Sequence, residues 1–307
     1  MSCRPTHLGG DLHHHPGRFA LVVGCLLGVL LLPHLLPLDP YAVDLTTVLQ
    51  PPGPHHLLGT DENGRDVLAR LLVGGRGTLG IALLATGLAL LVGTAIGGIA
   101  GYRGGVLDAL LMRGVDLALA FPSLFAILLV AAVVPPGPLL LIGLIGGTGW
   151  MAPARLVRGR VQTLLGTGYV EAARALGTPD RQIMGRHLVP NLRDLLLVAG
   201  LVQFSRAILA EATISFLGFG IQPPVPTWGN LLIGAQNYVY TAPWLALAPG
   251  IAITTSLLAL STLGIGRVAS RTQHSETPTS ENSAGPGPRA LPPMRHARAG
   301  DARSHPM

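Results

Sequence analysis

The chain has 307 residues, 49% of them hydrophobic and only 12% charged, with a mean hydropathy of +0.50 and a formal net charge of +6. A soluble domain carries about twice that charged fraction, so the composition excludes an ordinary soluble globule and points to an all-α, polytopic membrane protein. All 21 basic residues are Arg; without a Lys there is no Walker A loop to hold nucleotide phosphates, and ATP hydrolysis by that route is excluded.

The first apolar run, Phe19 to Leu38, is long enough for a transmembrane helix, since a hydrocarbon core of ~30 Å takes about 20 residues. It continues well past Cys25, which argues for an uncleaved anchor rather than a signal peptide. Cys3 and Cys25 are too few for a disulfide scaffold or a thiolate metal site. The short His runs, His13–His15 and His55–His56, are read as incidental. In "GTDENGRD", Thr60 or Asp61 is expected to cap a helix running to about Val73, with Val67, Leu68, Leu71 and Leu72 as its apolar face. Gly64 is misplaced for a calcium loop and no Glu closes the motif, so capping and packing are the expected role of its acids.

Gly77 to Gly101 reads as the second span. Leu117 to Ala154 is free of charge and is broken by "VPPGP" at 134–138 into a third and a fourth. Leu195 to Phe216 is the fifth, interrupted by Arg206 and Glu211, which are expected to form an intramembrane charged pair or to meet a charged substrate. Trp228, Tyr238, Tyr240 and Trp244 read as interfacial anchors, and Leu245 to Gly266 is the sixth span. Arg residues gather in the N-terminal tail, the connection holding Arg103 and Arg113, the 155–193 region and the tail from Arg267. Only Arg65, Arg70 and Arg76 fall in the 39–76 connection on the other side. The positive-inside rule then places both termini in the cytoplasm. The expected organisation is a cytosolic tail (1–18), a first helix with an outward-facing segment (19–76), a core of five spans (77–266) and a Pro/Ser/Gly/Arg-rich disordered cytosolic tail (267–307).

One polar island interrupts this pattern: "YVEAARALGTPDRQIMGRHLVPN", Tyr169 to Asn191. Tyr169, Ala172, Ala173 and Leu176 fall on one helical face. Gly177 suits the left-handed residue that closes a helix. Thr178, Pro179 and Asp180 then read as N-cap, first helical residue and dipole partner of a second short helix, striped by Ile183, Met184, His187 and Leu188. Pro190 ends that helix or kinks it into the fifth span. The small residues favour close approach by a protein partner over simple contact with lipid.

"EAARALG" followed by "HLVPN" resembles the EAA loop of ABC importer permeases, with Glu171, Ala172, Ala173, Gly177 and Pro190 in register. His187 stands where the general pattern has Ile, as in the dipeptide/oligopeptide/nickel branch. "LGTDENGRDVLARLLVGGR" (58–76), "EATISFLGFGIQPPVPTWGN" (211–230) and "TAPWLALAPG" (241–250) resemble further segments of that branch, over roughly 20–270. The late family segment N-L-L-G-D-G-L-R-D is replaced here by "STLGIGRVASR". The resemblance implies a type I importer permease with six helices and a cytosolic EAA coupling loop (158–191) in which Glu171, Ala172, Ala173, Gly177, Arg181, His187 and Pro190 meet an ATPase. It implies an outward-facing segment at Thr60, Asp61, Gly64, Arg65 and Asp66, near an extracytoplasmic substrate-binding protein. The implied partners are a homologous second permease, two ABC ATPase subunits and membrane lipid, with no nucleic acid. ATP would be bound by the partners, and the chain itself would hold no cofactor or metal and have no catalytic site. Peptides are the expected cargo; nickel or another small solute is the alternative within the family, and a proton- or sodium-driven secondary transporter the alternative outside it. An intramembrane enzyme would need a Ser/His, paired-Asp or HExxH constellation in the spans, which the sequence lacks.

Overall fold

The computed structural model describes residues 39–275 together with Gly24 and Gly28, without the side chains of His187 and of 264–275. The expected first span Phe19–Leu38, both tails and the His13–His15 run therefore lie outside the described residues, apart from the helical turns up to Ser275. Two compact units are distinguished, Met1–Val268 and Ala269–Met307. Among the described residues the regular structure is helical, with a single isolated bridge between Thr60 and Asp66.

The longest element, α1 (Val67–Arg103), has 37 residues, a length of ~55 Å at 1.5 Å per residue. Asp66 is its N-cap, accepting a hydrogen bond from the Ala69 N–H at 2.9 Å. This corrects the expectation that Thr60 or Asp61 is the cap and that the helix stops near Val73. No proline interrupts 67–103, so the capped segment and the expected second span are one rod. Its inward face also differs from the expected one: Val67, Arg70, Gly74 and Thr78 are buried, while Leu68, Leu71 and Leu72 are only half-buried.

The stretch expected to hold two spans is broken three times. Helices α2 (Gly105–Ala120) and α3 (Ser123–Ala131) meet at 73°, and α4 (Pro138–Gly149) and α5 (Met151–Leu165) at 42°. Pro122 causes the first break, because its ring pushes Phe121 out of helical geometry to φ −91°, ψ 129°. The 134–138 break falls between α3 and α4 as the prolines require, with Pro138 in the first turn of α4. The polar island supplies α6 (Gly168–Ala175), the turn α7 (Asp180–Gln182) and a π-helical turn Ile183–Leu188 that runs directly into α8 (Val189–Phe216). The last described helices are α9 (Trp228–Ala235) and α10 (Trp244–Ser275). By length and composition α1, α8 and Trp244–Leu263 of α10 can each cross a membrane, and the two bent pairs bring the total to as many as five among the described residues.

Helix α1 is the centre of the packing, with α4 and α8 laid against it around Leu79, Ala82, Ala85, Leu141, Ile145 and Ile208, and α5 packed along its later turns. Where it meets α5, three glycines spaced four apart replace side chains. A Cβ on Gly93 would stand 2.7 Å from the Trp150 carbonyl, on Gly97 2.2 Å from that of Ala154, and on Gly101 2.8 Å from that of Arg158. In hydrocarbon, apolar side chains gain nothing by leaving lipid, so close backbone approach is what holds helices together. The outer faces fit that solvent, exposing Leu83, Leu84 and Leu91 on α1, Leu110 and Leu117 on α2, and Leu247, Ile251 and Leu258 on α10.

Gly97→Ala should therefore force α1 and α5 apart. A loss of about 1–3 kcal/mol is expected from overpacking, read as a lower thermal unfolding temperature in detergent. Gly98→Ala, whose Cβ meets nothing within 4 Å, should unfold like the parent chain.

Candidate functional site

The polar island is anchored by one residue. Val170 is fully buried, while its neighbours Tyr169, Glu171 and Ala172 are exposed and Leu176 is 86% exposed. The expected apolar face is thus turned outward: on an eight-residue helix held down at Val170, Tyr169, Ala172 and Leu176 cannot also face the body. Ala173 is half-buried. Gly177 takes φ +77°, and the N–H groups of Gly177 and Thr178 donate to the carbonyls of Arg174 (2.9 Å) and Ala173 (3.1 Å), closing α6 with a Schellman motif. The second cap also differs from expectation. Pro179, not Thr178, is the N-cap of α7, and its ring has no oxygen to accept from the first-turn N–H groups; the Thr178 N–H belongs to the Schellman turn.

Pro190 falls in the first turn of α8 rather than ending the preceding helix. Lacking an N–H, it cannot bond the Arg186 carbonyl, and its ring crowds that group. The widened turn at Ile183–Leu188 absorbs the conflict, with the Val189 N–H donating to Met184 five residues back. Glu171, Arg181 and Arg186 are exposed, and among the described residues Glu171 has no ion-pair partner. His187 is placed by its backbone in the π-helical turn.

Three contacts that the sequence did not single out tie this region to the body. Tyr102, at the end of α1, donates its hydroxyl to Asp180 Oδ1, and the Arg174 guanidinium stands 5.4 Å from its ring centroid. Asp108 on α2 takes a forked bond from Arg158 on α5, one arm at 2.6 Å, and a weaker one from Gln162. Asp116 pairs with Arg155. The spacings Asp108/Asp116 and Arg155/Arg158 put each set on one helix face, a signal present in the sequence but mute without knowing that α2 and α5 are neighbours.

At the other end of α1, ~50 Å away along the helix axis, the "GTDENGRD" segment forms a closed knot. Thr60 is fully buried; its hydroxyl donates to the Thr47 carbonyl and accepts from the Gln50 N–H, and Trp244 Nε1 donates to its carbonyl at 3.3 Å. Asp61 Oδ1 accepts from the backbone N–H groups of Asn63 (2.8 Å) and Arg65 (2.9 Å). Asp61 Oδ2 accepts from Arg65 Nε (2.7 Å) and from buried Arg70. Gly64 holds φ +72°, and a Cβ there would collide with the Asp44 carbonyl at 1.8 Å. Asp66 is shared between the Ala69 N–H and His56 Nδ1 (2.8 Å). The acids are spent on arginines and backbone.

The structure does not bring Arg206 and Glu211 together. Glu211 is fully buried against α1 and α9, its Oε1 accepting from Ser215 Oγ at 2.7 Å, whereas Arg206 is exposed and lines a cavity on the far side of α8. Five residues subtend ~500° of helix, so the two side chains diverge. Trp228 is a further correction: only 1% exposed, it donates Nε1–H to the Leu71 carbonyl (3.0 Å), and its backbone N–H donates to Thr78 Oγ1 (3.1 Å). It is a core residue, not an interfacial anchor, since the capping box of Thr227 and Asn230 folds α9 back onto α1 and α8. Tyr240 is fully exposed.

Asp61→Asn should break the knot while leaving Arg70 buried and uncompensated. Removing one partner of a buried ion pair costs roughly 3–5 kcal/mol, so the variant should show the largest fall in thermal stability of any single change in this segment. Glu62→Gln, at a half-buried site, should stay close to the parent.

Comparison with known proteins agrees with this geometry. The family described as "Binding-protein-dependent transport system inner membrane component" matches residues 93–271. A provisionally named peptide transport system permease protein of Brucella abortus is 40% identical over 260 residues, covering 83% of this chain and 86% of that protein. The oligopeptide transport system permease protein OppC of Haemophilus influenzae is 35% identical over 212 residues, covering 69% and 68%. An inward-facing structure of the MetNI methionine ABC transporter shares the fold, with a TM-score of 0.52 at 18% identity over 66% of this chain and 96% of that one. The chain belongs to the binding-protein-dependent inner-membrane transport components, as a multi-pass permease of an ABC importer in the peptide-transport family.

Proposed function

We infer that this permease carries peptides, forms half of a translocation pathway with a homologous second permease, and is driven through α6 by cytosolic ATPase subunits. An extracytoplasmic binding protein delivers the cargo to the "GTDENGRD" end. Both termini are cytoplasmic, ATP is bound and hydrolysed by the partners, and this chain contributes no catalytic group or cofactor. The core permease domain is 77–266, with 158–191 as its coupling loop. The peptide assignment draws on relatives named for peptide and oligopeptide transport. The sidedness draws on Arg-rich connections at the Tyr102 end of α1. A secondary transporter would call for charges paired within the bundle, and the divergence of Arg206 from Glu211 offers no such pair.

The single observation that carries the coupling role is the combination of Val170 buried with Glu171 and Leu176 presented outward. A helix held at one point and continuous with rigid elements on both sides transmits a push instead of absorbing it. Behind α6 lies α5, ahead of it the π-turn and α8, and beneath it Tyr102 of α1. Closure of the ATPases on ATP displaces α6, and the three helices shift the pathway from inward- to outward-facing. ATP drives this because it binds the closed ATPase pair better than the open one, an equilibrium shift set by differential affinity.

Glu171→Arg should still insert and fold, because the side chain is exposed, yet peptide uptake and peptide-stimulated ATPase activity should fall by on the order of tenfold or more from like-charge mismatch at the docking surface. Parent-level uptake by this variant in proteoliposomes would end the coupling role. Tyr102→Phe keeps the ring beneath Arg174 and removes only the bond to Asp180; a loss of about fivefold in coupled ATPase rate is expected for one charge-assisted hydrogen bond.

A further inference from the structure

A cavity of about 470 Å³ opens between the α2–α3 bend, the α4–α5 bend and α8. Arg206 lines it from α8, ten residues or ~15 Å before the helix ends at Phe216. Gln203, three residues earlier, shares that face of the helix and is 6% exposed, yet among the described residues its amide has no hydrogen-bond partner. Arg206 likewise has no carboxylate within ion-pair distance among the described residues. On the opposite wall, α3 begins at Ser123, and its N-cap, Pro122, supplies no side-chain bond to the first-turn N–H groups. The Phe125 N–H turns back to the Pro122 carbonyl, and the start of the helix at Ser123 and Leu124 carries partial positive charge toward the same space. Thr148 has already spent its hydroxyl proton on the Leu144 carbonyl. No Asp or Glu lines the cavity, and Phe121 and Leu124 make part of its wall apolar.

Such a set of groups has one complementary ligand. A guanidinium inside a span is costly by itself; here a neighbouring unpaired amide and a helix N-terminus without a side-chain cap add donors and no acceptor charge, so an anion is the ligand that gains from them. The flat fork of Arg206 matches the two oxygens of a carboxylate. We propose that this cavity is the permease's subsite for the C-terminal carboxylate of the peptide in transit, with Arg206 as its cation and Gln203 and the start of α3 as flanking donors. Every free peptide carries that group whatever its side chains, so a subsite for it recognises the class without selecting a sequence. The assignment rests on the peptide reading above.

The test uses the complete transporter, with its partner subunits and binding protein, in proteoliposomes. Initial uptake of labelled trialanine is compared with that of trialanine C-terminal amide for the parent and for Arg206→Gln and Arg206→Lys. Any preference of the binding protein cancels in the variant-to-parent ratio for each peptide. For Arg206→Gln, uptake of the free acid should fall about tenfold, the loss of a charge-assisted hydrogen bond, while uptake of the amide should stay within about twofold. Arg206→Lys should recover most of the acid's uptake. If Arg206→Gln fails to assemble, Gln203→Leu keeps the cation and should lower the acid-to-amide ratio about fivefold. Equal losses for both peptides, or none for either, would overturn the subsite while leaving the peptide permease intact. A parent transporter that moves neither peptide but takes up another solute on ATP would overturn the peptide reading, and the subsite with it.

Discussion

The close contact between α1 and α5 is the constraint on which the other arrangements depend. Gly93, Gly97 and Gly101 bring the two backbones together where any side chain would collide with a carbonyl. Between membrane helices no hydrophobic force is available, because lipid is as apolar as leucine. Fit is what remains. Once α5 lies flush on α1, Arg158 comes within reach of Asp108, Arg155 of Asp116, and Arg174 near the end of α6 and Asp180 at the start of α7 meet Tyr102 at the end of α1.

The polar groups of this chain divide by the helix end they serve. At the Val67 end, Asp61 gathers two arginines and two backbone N–H groups into a knot that is also pinned by Trp244 through Thr60. At the Arg103 end, acids and arginines pair between helices, and Glu171 on the outward face of α6 has no ion-pair partner among the described residues. A buried carboxylate with both oxygens bonded to cations and backbone N–H groups is held rigidly, whereas an exposed carboxylate on a short anchored helix is open to another surface. The same chemistry thus makes one end a fixed cap and leaves a carboxylate exposed at the other. Between them, Glu211 and Arg206 sit on divergent sides of α8, one turned into the α1–α9 packing with Ser215, the other into an open cavity.

The bends also have a role. Pro122, the prolines of 134–138 and the bend at Trp150 divide what would be two long spans into four helical pieces, and a helix broken within a membrane is tolerated where its freed backbone groups line a cavity. The break at Phe121–Pro122 exposes the start of α3 to the space shared with Gln203 and Arg206. The widened turn before α8 works differently: it absorbs Pro190 without interrupting the rod, so α7 and α8 remain mechanically continuous.

Much of this protein was legible in its residues. Hydropathy sets the class, since 20 apolar residues can do little else than cross a bilayer; Gly177 closes a helix because it alone takes φ near +77° without strain; and the spacing of Glu171, Gly177 and Pro190 carries the family. These are local properties, settled within a turn or two of chain. Partners distant in sequence were not legible. That Asp66 rather than Thr60 caps α1 depends on Thr60 being held by Thr47 and Gln50. That Val170 rather than Leu176 faces inward depends on what lies beneath α6. That Trp228 is core rather than interfacial depends on a hydroxyl and a carbonyl of α1, 150 and 157 residues away. Arg206 and Glu211 looked like a pair in one dimension and diverge in three, because 100° per residue turns a separation of five into opposed directions. Composition determined that this chain is a membrane protein, and its motifs carry the resemblance to importer permeases; only tertiary packing decided which of its charges are bonded and which are left facing a space where something else can bind, because a charge's partner is chosen by distance in space and not along the chain.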